Sequence, residues 1–181
     1  MALDVETTGL SPEKDRIIEI GAIRFLENGD EISRFQSLIN PRMIIPYRVT
    51  EIHGIRNEDV AGERLFGEVF REFAAWMGQC EEPFCLAHNA RFDTAFLGSE
   101  IERNNLECDP WSVACTLELV RRKQVPVKSK SLTSLANHFN LERIDGHRAL
   151  ADCFRVKGVW LRICGPDEPW DELRRYPIGK A

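Results

Sequence analysis

The chain of 181 residues, 43% hydrophobic and 29% charged, has the size and balance of one soluble globular domain, and its 12 Gly and 9 Pro leave no collagenous or disordered composition. Basic residues number 24 and acidic residues 29, a net charge of −5, which excludes a surface that coats nucleic acid by its overall charge. No apolar stretch approaches the ~18 residues that span a bilayer, and Asp4 comes too early for a signal peptide, so a cytoplasmic protein with no membrane partner is expected.

The first forty residues read as strands. Leu3 to Glu6 alternates apolar and acidic side chains with period two, and Thr7-Thr8-Gly9-Leu10-Ser11-Pro12 then turns the chain. With three residues ahead of Asp4, this strand is either short or missing its beginning. Residues 16–26 are β-branched and long enough for a central strand, Asn28-Gly29-Asp30 signals a hairpin, and residues 35–39 form the returning strand. The period then changes. Phe66, Val69, Phe70, Phe73 and Met77 predict an amphipathic helix ended by Gly78. Phe84 to Ala87 is a short buried strand, followed by a helix from Asn89 to about Asn104 and a last strand over 111–114. Helices follow over roughly 116–123, 131–139 and 146–163. A meander followed by strands alternating with helices implies a mixed sheet with helices on its faces. One domain is expected over 1–165, with 166–181 a C-terminal tail whose Trp170 and Tyr176 fold back onto it.

Six cysteines include no C-x-x-C pair, so zinc spacing is absent, and reduced, mostly buried thiols are expected. Carboxylates carry the stronger signal. Asp4 and Glu6 leave one face of their strand together, and about 5 Å apart they repel by about 3 kcal/mol at a dielectric near 20. An exposed edge strand would tolerate such a pair, and so would bound cations. Thr7-Thr8-Gly9 sets small hydroxyls and backbone N–H groups at the strand end, where a phosphate or sugar hydroxyl could approach. Asn89 is a good N-cap, which puts Asp93 one turn into its helix, a place the helix dipole also favours for an acid. His147 and Asp152 fall on no common helical stripe, but with His147 at the helix mouth both can point toward the strand ends. Ala149 and Ala151 keep that helix wall thin.

Together, Asp4, Glu6, Asp93 and Asp152 would converge at one sheet edge. Two divalent cations, supplying +4 against −4, would neutralise them, and all-oxygen ligation selects Mg²⁺ or Mn²⁺ over zinc. His147 is then free to act as a general base near neutral pH. Arg121-Arg122-Lys123, with Lys128 and Lys130, is the one sustained basic strip, either a guide for a single strand or a solvated surface. Phe92 and Phe96 are placed in the core, His138 on a helix surface and His88 as support for a strand end.

The sequence resembles the DEDDh 3′→5′ exonucleases, and within them the DnaQ-like group that contains the proofreading epsilon subunit of bacterial DNA polymerase III. Asp4-Val5-Glu6-Thr7-Thr8-Gly9, His88-Asn89-Ala90-Arg91-Phe92-Asp93 and His147-Arg148-Ala149-Leu150-Ala151-Asp152 are similar to the three ordered motifs, and Thr50 to Ile55 to the segment between the first two. Cys115-Thr116-Leu117 departs from the Asp-Thr-Leu that many members carry. The resemblance covers about residues 1–160. It implies an RNase H-like α/β fold, a five-stranded mixed sheet of order 3-2-1-4-5 with strand two antiparallel to the others. It implies that Asp4, Glu6 and Asp152 hold one metal, that Asp4 shares a second with Asp93 acting largely through water, and that His147 is the base. Nucleoside 5′-monophosphates would be released from a nucleic acid with a free 3′ end, single-stranded or frayed DNA before RNA. The Thr7 backbone would meet the terminal 3′-hydroxyl, Leu10 would wedge against the last base, and His53 and Phe92 would line the terminal nucleotide, with Thr8, Gly9 and Asn89 beside it. A DNA polymerase is a candidate partner. The alternatives are an RNA-directed exonuclease of the same family and a polymerase-accessory binding module.

Overall fold

The computed structural model describes residues 1–79, 84–141, 147–164 and 173–178. Three strands open it, β1 (Ala2–Thr7), β2 (Ile17–Phe25) and β3 (Glu31–Leu38), followed by the short helices α1 (Tyr47–His53) and α2 (Asn57–Val60) and the longer α3 (Phe66–Met77). Then come β4 (Cys85–Ala87), α4 (Ala90–Arg103), β5 (Trp111–Cys115), α5 (Thr116–Arg122), α6 (Leu132–His138), α7 (Ala149–Ile163) and β6 (Arg175–Ile178). The sheet runs β3-β2-β1-β4-β5-β6. β2 is antiparallel to β1 and β3, β4 is parallel to β1 and β5, and β6 is antiparallel to β5.

The order 3-2-1-4-5 is as expected, but the sheet has six strands and not five. The extra strand, β6, lies in the stretch read as a tail. Arg-Tyr-Pro-Ile is too short for an alternation signal, and a proline argues against a strand except at a sheet edge, which is where β6 sits. Tyr176 does fold back, its hydroxyl donating to Glu118 Oε1 at 2.5 Å. Trp170, within the expected tail, and Gly146, at the expected start of the last helix, lie outside the described residues, as does Cys80.

β1 is buried on both faces, and its period of two sorts the two sides. Leu3 and Val5 join Ile20, Phe66, Phe70, Phe73 and Phe96 in the core under α3 and α4. Ala2 joins Ile23, Leu86, Cys153, Val156 and Trp160 in the core under α7. Each large side chain fully buried here stabilises the fold by roughly 2–3 kcal/mol, and Phe73→Ala would cost about 3–5 kcal/mol. Asp4 and Glu6 share the face of Ala2, so the strand that threads both cores also points two acids at α7. Gly21 lies opposite Asp4 on β2, and a Cβ there would stand 2.5 Å from the backbone of Ala149 and Leu150. This missing side chain lets the first turn of α7 rest on the sheet.

Candidate active site

Three elements deliver the acids. Asp4 and Glu6 come from β1, Asp152 from the first turn of α7, and Asp93 from the first turn of α4. One carboxylate oxygen from each of Asp4, Glu6 and Asp152 lies within 4.8 Å of the other two, the one such cluster among the described residues. Asp93 is 2% exposed and accepts the Val5 backbone N–H at 3.2 Å, which fastens α4 to the same strand. Burial and the neighbouring acids Asp93, Glu6, Asp152 and Glu19 push Asp4 well above the usual carboxylate range. Glu6 is pushed to about 8 by burial and then by Asp152, Glu19 and Asp93, with Arg148 acting in the opposite direction. Burial takes Asp93 to about 8 against the pull of its backbone hydrogen bonds. Oxygen-only donors that resist ionising side by side are the chemistry of a hard divalent cation site, so these residues fit the ions expected.

His147 sits just before α7, half exposed, with Nδ1 3.7 Å from Asp152 Oδ2. The helix mouth therefore does turn both side chains to one place. Sequence reasoning missed two groups beside them. Arg155, one turn along α7, donates to Asp152 Oδ1 at 2.5 Å, and both side chains are about nine-tenths buried. Its i, i+3 spacing from Asp152 was the available signal. Glu19, fully buried on β2 opposite Glu6, is a fifth acid at the cluster, and its signal was one charge inside an otherwise apolar run.

The turn after β1 is tied mostly to itself. Thr7 Oγ1 donates to the Gly9 carbonyl at 2.6 Å. Thr8 is fully buried, its Oγ1 accepting from Arg16 N–H and facing Asp15, so its hydroxyl holds the turn and is closed to a ligand. At Gly9 a Cβ would stand 2.3 Å from the Asp15 carboxylate, so a larger residue there would have to displace that side chain from the Ser11 N–H. Leu10 projects beyond them, 84% exposed. Beside it runs a groove of about 680 Å³ lined by Gly9, Leu10, Lys14, Arg48, Val49 and Ile52, also absent from the sequence reading.

His53 is buried at the end of α1. Its Nδ1 accepts the Ile55 N–H at 3.0 Å, which leaves the proton on Nε2, a buried atom turned toward the Thr7 backbone. Desolvation lowers its pKa, so the ring is neutral. Asn89 stands at the N-cap of α4 but in the left-handed conformation (φ 66°), and its side chain makes no capping bond; the expected side-chain cap is absent. The exposed amide is available to other partners. Phe92 is half buried, its ring centroid 4.8 Å from that of Phe96. His88 braces the strand end, with Nδ1 3.1 Å from Thr116 Oγ1 and Nε2 2.7 Å from the Lys130 carbonyl. Arg121, Arg122, Lys123 and Lys128 are exposed.

Acids from a central strand and two helices, gathered at the mouth of a mixed sheet of this order, define the exonuclease class of the RNase H-like fold. Residues 1–159 match the exonuclease family RNase_T, and the chain belongs to that family. It is 34% identical over 152 residues to the PolC-type DNA polymerase III of Oceanobacillus iheyensis, covering 84% of this chain and 10% of that protein. It is 31% identical over 163 residues to that of Caldanaerobacter subterraneus, covering 90% and 11%. The chain thus spans about a tenth of the length of these relatives. Among solved structures, Exonuclease X in complex with 5′ overhanging duplex DNA superposes with a TM-score of 0.69 at 24% identity, covering 90% of this chain and 89% of that one. The nuclease domain of 3′hExo, a DEDDh family member bound to rAMP, superposes with a TM-score of 0.75 at 18% identity, covering 97% and 94%. At these identities the structures establish the fold.

Proposed function

We propose that this chain is a metal-dependent 3′→5′ exonuclease domain that removes nucleoside 5′-monophosphates from single-stranded or frayed DNA ends. The observation that carries this is the packing of Asp4, Glu6 and Asp152 within 4.8 Å of one another in a family of exonucleases. Asp4, Glu6 and Asp152 would hold one Mg²⁺ or Mn²⁺, and Asp4 with Asp93 a second. Such ions supply Lewis acidity and stabilise the charge that develops on phosphate oxygens. His147 supplies the base: with Nδ1 turned to Asp152, Nε2 takes a proton from the attacking water. The water oxygen adds to phosphorus, the P–O3′ bond breaks, the departing O3′ takes a proton from solvent to become the 3′-hydroxyl of the shortened strand, and the nucleotide leaves with phosphate on its 5′ position.

The rest of the site binds the strand end. The 84% exposure of Leu10 suits a wedge against the terminal base. His53 Nε2, buried beside the Thr7 backbone, would support the strand end that the terminal nucleotide meets. Thr7, through its backbone, and Gly9, Asn89 and Phe92 complete the pocket, with Thr8 acting from behind. The groove beside Leu10, with Lys14 and Arg48 at its edges, suits the next nucleotides of a single strand. The PolC-type relatives favour DNA and a polymerase partner, with proofreading as the task. No helix among the described residues is long and apolar enough to cross a membrane, in keeping with work in the cytoplasm beside that partner. End-labelled DNA and RNA oligonucleotides, each with Mn²⁺, Mg²⁺ or EDTA, test the reading. Metal-dependent release of mononucleotides from DNA 3′ ends is expected. Faster cleavage of RNA would move the substrate assignment to RNA, and binding without cleavage would leave an accessory module.

A further inference from the structure

We infer that Glu19 and Arg148 form a buried clamp that positions His147 and Asp152 at the start of α7. The inference rests on the nuclease reading for what the clamp is for, but on hydrogen bonds for its existence. Glu19 is fully buried in an otherwise apolar strand, directly across from Glu6. Arg148 grips it in fork geometry, Nε at 3.2 and 3.0 Å from the two carboxylate oxygens and Nη2 at 2.5 Å. Gln36 Nε2 donates to Oε1 at 2.9 Å, and the Ala149 backbone N–H donates to Oε2 at 3.0 Å.

That last bond sets the position. Arg148 is the N-cap residue of α7, extended (φ −141°), and its own side chain caps nothing. Glu19 takes the capping role from the neighbouring strand, satisfying a free helix N–H and placing a negative charge at the positive end of the dipole. Arg148 in turn accepts the Asp152 N–H on its carbonyl at 3.0 Å. So one residue, with His147 on one side and Asp152 one turn ahead, is held at its side chain, its carbonyl and the next amide. Gly21 is what lets the helix come close enough for these bonds to form.

The charges are arranged for position more than for stability. A carboxylate added to an acidic cleft is unfavourable on its own, and a buried ion pair contributes little net stability relative to apolar packing. The guanidinium offsets Glu19 and also draws Glu6 downward, so the pair orders the helix without adding net negative charge to the cluster.

The test uses Glu19→Gln, which keeps the shape and one acceptor but removes the charge, and Arg148→Lys, which keeps the charge but loses the fork. Supports beside a metal site typically change affinity or activity 10–100-fold. For Glu19→Gln, kcat is therefore expected to fall on the order of 10–100-fold with KM for a single-stranded oligonucleotide within about twofold. Manganese affinity by calorimetry is expected to weaken, and amide exchange is expected to quicken at Ala149 to Asp152 but not in α4. Arg148→Lys is expected to show the same pattern at smaller size, and it keeps the test open if Glu19→Gln does not fold. Unchanged exchange in α7 with unchanged manganese uptake would overturn the clamp. So would a uniform rise in exchange across all helices, the mark of a purely structural pair. If the wild-type protein cuts neither DNA nor RNA, the nuclease reading fails while exchange and metal uptake still decide the clamp.

Discussion

Two buried acids stand seven residues apart on α4, and they live in opposite company. Glu100, 3% exposed, accepts the Ile17 N–H at 3.3 Å and the Asn104 side-chain amide at 3.1 Å, and faces the Arg103 guanidinium at 3.1 Å. Asp93, 2% exposed, accepts the Val5 N–H and looks into three more carboxylates, with burial and charge pushing it to about 8. Burial of an acid is therefore not the functional signal in this molecule. Company is. Glu100 has the partners that make a charge structural, whereas the group around Asp4 has repulsion that folding alone does not relieve and divalent cations would.

Substitutions in the two places should separate activity from stability. Asp4→Asn should remove detectable metal-dependent mononucleotide release, and with no buried carboxyl left there whose ionisation folding must suppress, the protein should melt at a higher temperature in EDTA at pH 8. Glu100→Gln should do the reverse, losing about 2 kcal/mol by urea unfolding because Ile17 N–H, Asn104 and Arg103 lose a charged acceptor, with kcat and KM unchanged. If the two variants trade places, the contrast is wrong. His147→Gln should lower kcat by roughly 10²–10⁴-fold, the usual worth of a positioned base, with KM for the oligonucleotide unmoved.

The pH dependence sharpens the same contrast. Glu6 and Asp93 titrate near 8 in the folded chain and in the ordinary carboxylate range when unfolded. Groups raised this way stabilise fully at low pH and lose that contribution as pH rises through about 8, because the unfolded chain releases protons that the folded one retains. In EDTA the melting temperature should therefore fall from about pH 5 to 9, and saturating Mn²⁺ should remove most of the fall. A flat profile in EDTA would mean that the acids do not crowd one another. The smallest effect is expected on the surface: neutralising Arg121, Arg122 and Lys123 should raise the substrate KM a few-fold and flatten its salt dependence. If both stay fixed, that strip is only solvated.

Much of this site was legible because its signals are local. Asp4 and Glu6 announce a shared face by their spacing, and the sequence around Asp93 and His147 to Asp152 places each at the start of a helix. Their convergence is a property of strand order, which the meander and the alternation that follows it largely determine. What was not legible depends on distant contacts. β6 is four residues held by pairing with β5 and by Tyr176 on Glu118, and nothing in Arg-Tyr-Pro-Ile announces it. α1 and α2, of seven and four residues, are too short for a helical period. Asn89 has the identity of a cap but adopts a left-handed backbone that turns its side chain out of reach. Glu19 reads as one polar residue in a strand until Arg148, distant in sequence, folds across it.

The most direct test of the crowded acids is calorimetric titration of Mn²⁺ into the wild-type protein near pH 7.5 in buffers of different ionisation enthalpy. Two ions per chain should bind, and the measured heat should vary with buffer because Asp4, Glu6 and Asp93 surrender protons as the ions enter. Absence of uptake, or uptake with no proton release, would contradict the account.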